Sequence, residues 1–302
     1  MNGMQKKNPL GIHWLVLVKD WDEAGARHAI REAKRIGYDF IETPPTPAGS
    51  SITRAARVAL EETGLGATVC LGLAADQDPT SPNHETRRRG EEFLCDAVDT
   101  CAAIGGTIVS GITYSAFQKY VVPCPPEGRA RAVSIIRRVA DRAAAHGISI
   151  GLEVVNRYET NLLNTAKQAF DFCGDTGADN VVIHLDSYHM NIEETSVEQA
   201  ILHAAERIGF FHIGDSNRGY LGAGNIDFNP HFRALMQAGY EGPISFESFS
   251  SSTISQPLLG ILGIWRDTWE DGTDLAEHSL DFMRTQIKSA REAHRRALGA
   301  AA

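Results

Sequence analysis

The chain has 302 residues, of which 43% are hydrophobic and 22% are charged, a composition typical of a globular protein rather than a fibrous, disordered or membrane-spanning one. Its formal net charge of −9, from 29 basic and 38 acidic residues, argues against a nucleic-acid partner, which needs a basic face. No apolar run approaches the roughly 18 residues of a membrane span. The cysteines number five and include no Cys-x-x-Cys pair, which predicts reduced thiols and a cytoplasmic location.

Short apolar, β-branched runs alternate with longer stretches of helical composition along the whole chain. Predicted strands occupy 11–17, 39–43, 67–73, 106–112, 148–155, 180–186, 208–215 and 242–248. Predicted helices occupy 22–37, 50–64, 84–104, 126–146, 164–177, 195–207, 228–239 and 271–298. Strict alternation predicts parallel strands joined by crossover helices, and eight such units favour a (β/α)₈ barrel.

A doubly wound open sheet is the alternative to the barrel. Such a sheet usually carries a glycine-rich turn after its first strand, whereas KDWDE follows the first strand here. We therefore predict a single α/β domain over 1–302, a (β/α)₈ TIM barrel with parallel strands inside an outer ring of helices.

Ionisable residues lie near the ends of four consecutive predicted strands. Because alternate residues of a strand point to opposite faces, each of them lies opposite the large apolar side chains of its own strand. They are Glu153, Asp186, His212 and Glu247. The C-terminal ends of barrel strands build the active site of this fold, so the four groups should meet in one mouth.

These four residues predict a metal site. Three unpaired carboxylates in a confined site would repel one another, and a divalent cation removes that repulsion. Three oxygen donors and one nitrogen donor suit Mn²⁺, Mg²⁺ or Co²⁺ better than structural zinc. The alternative is that the carboxylates form salt bridges and His212 is a hydrogen-bonded core histidine, but agreement at four matching strand positions disfavours it.

Four stretches of the chain resemble the ketose 3-epimerases, the D-tagatose, D-psicose (allulose) and L-ribulose 3-epimerase group of the xylose isomerase-like barrels. They read GLEVVNRYETN, HLDSYHMNIEE, FHIGDSNRGYLGAGNIDF and ISFESF. The resemblance implies one divalent cation, usually manganese, bound by Glu153, Asp186, His212 and Glu247. It implies that Glu153 and Glu247 are also the acid/base pair, and that substrate oxygens are bound by Glu159, His189 and Arg218. It further implies a homodimer or homotetramer.

Epimerisation at C3 of a ketose removes the proton next to the carbonyl and returns a proton to the other face through a cis-enediolate. A cation chelated by O2 and O3 would stabilise the negative charge of that intermediate. Strands five and eight of a barrel lie about 135° apart, which places Glu153 and Glu247 on opposite sides of the cation. Each can keep one oxygen for proton transfer. Asp186 lacks this geometry and is predicted to be a ligand only.

The remaining half of the barrel mouth should hold the rest of the sugar. Because the cation lies off the barrel axis, we expect the substrate to extend towards strands one to four. The predicted pocket wall consists of His13, Trp14, Glu42, Cys70, Leu71 and Tyr114. Plain barrel core is the alternative for each of them. His184 is predicted to lie in the barrel interior below the cation.

Two other functions fit the same pattern. An aldose–ketose isomerase of the same superfamily usually adds a second metal, for which only Asp215 and Asp227 are available near strand seven. A non-catalytic sugar-binding barrel would keep the metal as a structural element. The preferred ketose is left open between pentuloses and hexuloses, because one hydroxyl configuration is worth only about 1–3 kcal/mol in a hydrophobic pocket.

Overall fold

A computed structural model describes residues 8–301 and forms a closed barrel of parallel strands in sequential order. The strands are β1 (Leu10–His13), β2 (Phe40–Thr43), β3 (Gly66–Leu73), β4 (Ile108–Ala116), β5 (Ser149–Glu153), β6 (Val181–Asp186), β7 (Ile208–Ile213) and β8 (Ile244–Phe246). Each strand pairs with the next, and β8 closes the barrel by pairing with β1, where Leu10 is opposite Ile244. The predicted (β/α)₈ barrel is confirmed.

Helices surround this barrel. They are α1 (Glu23–Ile36), α2 (Ser51–Thr63), α3 (His84–Ala103), α4 (Pro126–Ala144), α5 (Ala166–Thr176), α6 (Ser187–Glu193), α7 (Val197–Ala204), α8 (Phe228–Gln237), α9 (Leu258–Leu262) and α10 (Gly272–Ala301). The short helices α6 and α9 were not predicted, and they lie in the segments that follow β6 and β8. Within the described range, no helix is both long and apolar enough to cross a membrane. All five cysteines are free thiols.

The limits of α1 show how local sequence sets the helix boundaries. The Asp22 carboxylate accepts a hydrogen bond from the Gly25 backbone N–H, which satisfies an amide that the first turn leaves without a partner. Gly37 follows the last helical residue with φ of 107°, a left-handed conformation that glycine adopts without steric cost. The next strand can therefore begin within three residues, at Phe40.

The first strand is shorter than predicted. It was expected to run to residue 17, but it ends at His13, and Trp14–Val16 form a 3₁₀ turn. In that turn Leu15 packs with Phe249 and Ile254 in a small apolar cluster separate from the main core. Burial of Leu15 in this cluster explains why the apolar run continues although the strand has ended.

Aromatic side chains fill the interior of the barrel. Phe40 and Phe210 pack edge to face with ring centroids 5.8 Å apart, and Ile108 completes their cluster. Because β2 and β7 are not neighbouring strands, this contact must cross the barrel interior. His184 packs on Phe210 at 4.8 Å and on His212 at 4.0 Å between ring centroids. The imidazole pair thus lies between the aromatic cluster and the C-terminal ends of the strands.

We predict that Gly111→Ala strongly destabilises the barrel. Gly111 lies in β4 with φ of 106°, and an added Cβ would stand 1.9 Å from the carbonyl oxygen of Leu71 in β3. Because that neighbour is backbone, β3 and β4 would have to separate, and we expect the free energy of unfolding to fall by about 2–4 kcal/mol. Denaturant-induced unfolding measures it.

The matched control is Gly174→Ala. Gly174 lies inside α5, and a Cβ there would meet no atom within 4 Å. Alanine favours the helix, so this change should raise the free energy of unfolding by about 0.5–1 kcal/mol. Equal stabilities for the two variants would contradict the steric argument at Gly111.

Candidate active site

The four ionisable residues that were identified from the alternation of side chains along the strands meet at the C-terminal end of the barrel. Glu153 and Asp186 are the last residues of β5 and β6, His212 is the penultimate residue of β7, and Glu247 follows β8 directly. One donor atom from each side chain lies within 4.8 Å of those of the others, and all four residues are buried. The strand register explains this. Asp186 pairs with His212, and His212 pairs with Ser245, which lies two residues before Glu247.

The orientation of His212 is fixed by a glutamate on the opposite side of the barrel. Its Nε2 lies 2.9 and 3.0 Å from the two carboxylate oxygens of Glu42, which are close enough to accept the Nε2 proton. The Ser245 hydroxyl also donates a hydrogen bond to Glu42. The Nδ1 of His212 is buried and has no hydrogen-bond partner among the described residues. The carboxylate of Glu42 therefore leaves Nδ1 as the nitrogen available to a ligand.

The surroundings of this nitrogen fit a divalent cation. Nδ1 lies 3.6 Å from Glu153 Oε1, 3.7 Å from Asp186 Oδ2 and 3.7 Å from Glu247 Oε1. These distances are too long for N–H···O hydrogen bonds. They match ligand atoms that share one cation with bonds of about 2.0–2.2 Å each. Three carboxylate oxygens around one imidazole nitrogen form a donor set for Mn²⁺, Mg²⁺ or Co²⁺.

The pKa values of the carboxylates in this cluster are shifted in opposite directions. Burial raises the pKa of Glu247 to about 8, and burial also raises the pKa of Glu153. Burial opposes ionisation of Asp186 as well, but the Arg218 guanidinium together with His189 and His212 outweighs it and holds the pKa of Asp186 below its usual range. The environment therefore favours proton binding at the two glutamates and a permanent charge at Asp186.

His189 presents an N–H group to the same cluster. Its Nδ1 accepts hydrogen bonds from the Asn156 backbone N–H at 3.2 Å and from the Asn156 side-chain amide at 2.9 Å. The proton must then be on Nε2, which lies 3.9 Å from Glu153 Oε1 and 3.8 Å from Glu159 Oε2. Burial lowers the pKa of His189 to about 3, so the ring is neutral. Burial also raises the pKa of Glu159 to about 7.

Arg218 is a buried cation held rigidly beside Glu247. Its Nη1 lies 3.0 Å from Glu247 Oε2, and its guanidinium carbon lies 3.9 Å from the centre of the Tyr188 ring and 5.3 Å from that of Phe249. The backbone of Arg218 has φ of 55°, which is costly for a residue other than glycine, and its carbonyl accepts a hydrogen bond from Thr268 Oγ1 at 3.2 Å. Such strain persists only where the surrounding contacts determine the conformation.

A cavity of about 450 Å³ opens beside the cluster. Glu153 and Glu247 line it, together with Glu159, His189 and Arg218, whereas Asp186 and His212 are not part of its wall. Four residues predicted for the pocket wall also line it, namely His13, Trp14, Cys70 and Leu71. The far side is apolar and includes residues of the unpredicted helix α9, namely Leu258, Ile261 and Leu262.

The prediction for Tyr114 is corrected, because this residue lies outside the cavity wall. The register of β4 shifts beyond Gly72, which pairs with Ile112, whereas the next residue of β3 pairs with Ala116. Tyr114 consequently points towards α5, where its ring packs on Phe172 with centroids 6.3 Å apart. Its hydroxyl donates a hydrogen bond to the Glu153 carbonyl at 2.6 Å, so Tyr114 supports the site from behind.

The prediction for Glu42 as pocket wall is corrected in the same way. Glu42 is fully buried beneath His212 and does not line the cavity. The signal that could have revealed this role is Glu42 itself, the acidic residue inside the second strand, next to the strand's last residue. His184 lies in the barrel interior as expected, where its Nδ1 lies 2.7 Å from the Ser110 hydroxyl.

Comparison with known proteins gives matches over nearly the whole chain. A family model described as xylose isomerase-like TIM barrel matches residues 30–286. The ketose 3-epimerase of Arthrobacter globiformis is 43% identical over 278 residues, which are 92% of this chain and 96% of that protein. The L-ribulose 3-epimerase of Methylomonas sp. (strain DH-1) is 44% identical over 279 residues, which are 92% of this chain and 98% of that protein. This structure also resembles the crystal structure of a D-allulose 3-epimerase from Methylomonas sp. in complex with D-allulose, with a TM-score of 0.90. The two sequences are 44% identical, and the match covers 94% of this chain and 99% of that one.

Proposed function

Because this chain belongs to the ketose 3-epimerases of the xylose isomerase-like TIM barrels, we propose that it inverts C3 of free ketoses by proton exchange between Glu153 and Glu247 beside one divalent cation. The chain is thus an isomerase. The observation that supports the proposed mechanism is that Glu153 and Glu247 line the cavity, whereas the other two residues of the cluster do not. The two glutamates reach the cavity from β5 and from the end of β8, while Asp186 and His212 stay behind them.

The reaction needs one group on each face of the sugar. The C3 proton is acidic because it lies next to the C2 carbonyl, and one glutamate removes it to leave a planar cis-enediolate. The other glutamate then donates a proton to the opposite face, which inverts C3. After one turnover the first glutamate holds the proton and the second has lost one, so exchange with solvent or a reverse turnover restores the starting state.

The other residues of the site hold and position these groups. Glu153, Asp186, His212 and Glu247 would hold the cation, which when bound supplies Lewis-acid stabilisation of the charge that develops on the sugar oxygens. Arg218 orients Glu247 through the 3.0 Å contact, and Asp186 serves as ligand only. We assign the binding of substrate oxygens to Glu159, His189 and Arg218, with the Nε2–H of His189 as a donor.

Deuterium exchange tests this function. The protein is incubated in D₂O with Mn²⁺ and either L-ribulose or D-allulose, the sugars named for the relatives, and the label is located by NMR. We expect deuterium at C3 together with the C3 epimer. Deuterium at C1 would instead indicate an aldose–ketose isomerase, and a bound sugar without label would indicate a non-catalytic barrel.

Further predictions from the sequence accompany this proposal. Manganese is the expected cation, and the expected assembly is a homodimer or homotetramer in the cytoplasm. We also propose that 1–302 form a single domain. The choice between a pentulose and a hexulose stays open, and the exchange rates with the two sugars above measure it directly.

A further inference from the structure

A second group of metal-ligating side chains lies beside the four-residue cluster. His13, Cys70 and Glu247 each offer one donor atom, and these three atoms lie within 4.8 Å of one another. All three residues line the cavity. His13 ends β1 and Cys70 lies in β3, so this trio extends the site towards the other half of the barrel. We propose that His13, Cys70 and Glu247 bind a second, thiophilic divalent cation of the Zn²⁺ or Co²⁺ class, and that this cation inhibits the enzyme.

His13 is ready to act as a ligand. It is only 5% exposed, and in the described part of the chain its Nδ1 finds no hydrogen-bond partner. Burial lowers the pKa of His13 to about 4, so the ring is neutral and keeps a lone pair. The ring also packs edge to face on Phe249, with centroids 5.7 Å apart, which restricts its rotation. A buried imidazole nitrogen without a hydrogen-bond partner is unusual unless a ligand completes it.

Cys70 supplies the donor that distinguishes this trio from the first cluster. Although the residue as a whole is partly exposed, burial of its sulfur raises the pKa of the thiol well above the usual range. A cation that binds the sulfur displaces the thiol proton to solvent, so the thiolate forms only with the metal. Sulfur, nitrogen and oxygen donors together select Zn²⁺ or Co²⁺ over Mg²⁺ and Mn²⁺, which prefer oxygen.

The spacing of the trio suits a small tetrahedral cation. Bonds of about 2.0–2.3 Å place tetrahedral ligand atoms roughly 3.3–3.8 Å apart, within the 4.8 Å that separates these atoms at most. The fourth position would face the cavity. Such open sites admit water or substrate, whereas closed structural sites do not.

Inhibition follows from the residue that the two sites share. Glu247 belongs both to this trio and to the cluster with Glu153, Asp186 and His212. A second cation would bind the Glu247 carboxylate, which has to transfer a proton in the proposed reaction. It would also occupy space in the cavity next to the bound ketose. This inhibitory effect rests on the proposed epimerase function, but the binding of the cation does not.

Cobalt absorption tests the binding without any turnover. A Co²⁺–thiolate bond produces a near-ultraviolet charge-transfer band, and the first cluster is silent because it contains no sulfur. Co²⁺ titration of the Mn²⁺-loaded protein is expected to give this band, and Cys70→Ser should abolish it. Cys124→Ser, which removes another partly exposed thiol, is the matched control and should keep the band. His13→Gln should weaken Co²⁺ binding roughly tenfold or more, since even outer ligand partners contribute 10–100-fold.

A measurement on the unmodified protein guards against a variant that fails to fold. Co²⁺ should slow alkylation of Cys70 by iodoacetamide at least about tenfold, as mapped by mass spectrometry, and should leave alkylation of Cys124 unchanged. A wild-type protein that shows neither the band nor this protection would overturn the site, as would a band that survives Cys70→Ser.

Zinc inhibition tests the regulatory half of the proposal separately. In the Mn²⁺-loaded enzyme, Zn²⁺ should inhibit epimerisation, and Cys70→Ser should raise the half-inhibitory Zn²⁺ concentration roughly tenfold or more. Cation binding without inhibition would overturn the inhibitory role and keep the site. Cation binding in a protein that never epimerises a ketose would overturn the proposed function instead.

Discussion

Glu247→Gln is expected to lower the rate of C3 inversion by about 10²–10⁴-fold, the usual contribution of a positioned acid or base. Glutamine keeps the shape of the side chain and one oxygen donor, but it cannot take up or release the proton. Glu153→Gln should have an effect of similar size, because inversion needs a proton carrier on both faces of the sugar. Steady-state kinetics measures both variants.

The two variants should differ in a way that separates proton transfer from general damage. In Glu247→Gln, Glu153 still removes and returns a proton on its own face, so the epimer whose C3–H faces Glu153 should exchange deuterium without inverting. In Glu153→Gln the other epimer should exchange. Loss of exchange with the same epimer in both variants would contradict the two-base mechanism.

Glu206→Gln is the control for this pair of variants. Glu206 is exposed in the turn before β7, away from the cavity wall. Its removal makes the same change of charge and should leave the inversion rate within twofold of wild type, by the rule that surface substitutions have small effects.

Loss of the cation is expected to abolish turnover, and Asp186→Asn should make that loss easy. Chelation should stop epimerisation and Mn²⁺ should restore it. Asp186 is buried outside the cavity wall and its pKa is lowered, so its replacement should remove a charged ligand without removing an acid or base. We expect the Kd for Mn²⁺ to rise by more than the 10–100-fold typical of outer-shell partners, and activity to return at high Mn²⁺.

Glu42→Gln provides a graded comparison. Glu42 touches His212 and not the cation position, so its replacement should weaken Mn²⁺ binding by about 10–100-fold. Titration calorimetry gives both affinities. Wild-type Mn²⁺ affinity in Asp186→Asn would remove Asp186 from the proposed ligand set, and wild-type affinity in Glu42→Gln would remove the role of the imidazole hydrogen bond.

The sequence allows the barrel and the four-residue cluster to be predicted for one physical reason. Strand alternation places Glu153, Asp186, His212 and Glu247 on the inner face, and parallel strands bring their C-terminal ends to one edge. No pairing between distant residues had to be known. The pattern of each strand together with the order of the strands was sufficient.

Features that depend on irregular or distant contacts could not be predicted in this way. Tyr114 lies beyond the predicted fourth strand, and the register shift in β4 that turns it outwards is not visible in the sequence pattern. The partnership of Glu42 with His212 joins residues 170 positions apart and needs the closed barrel. Helices α6 and α9 have seven and five residues, too few for a helical period to be recognised.

Closure of the barrel by its final strand has a consequence for biosynthesis. Glu153, Asp186 and His212 emerge from the ribosome on β5 to β7, but β8 must insert between β7 and β1 before Glu247 can join them. A nascent chain that stops before β8 therefore carries three of the four donors and lacks Glu247. The four donors come together only when β8 has paired with both β7 and β1.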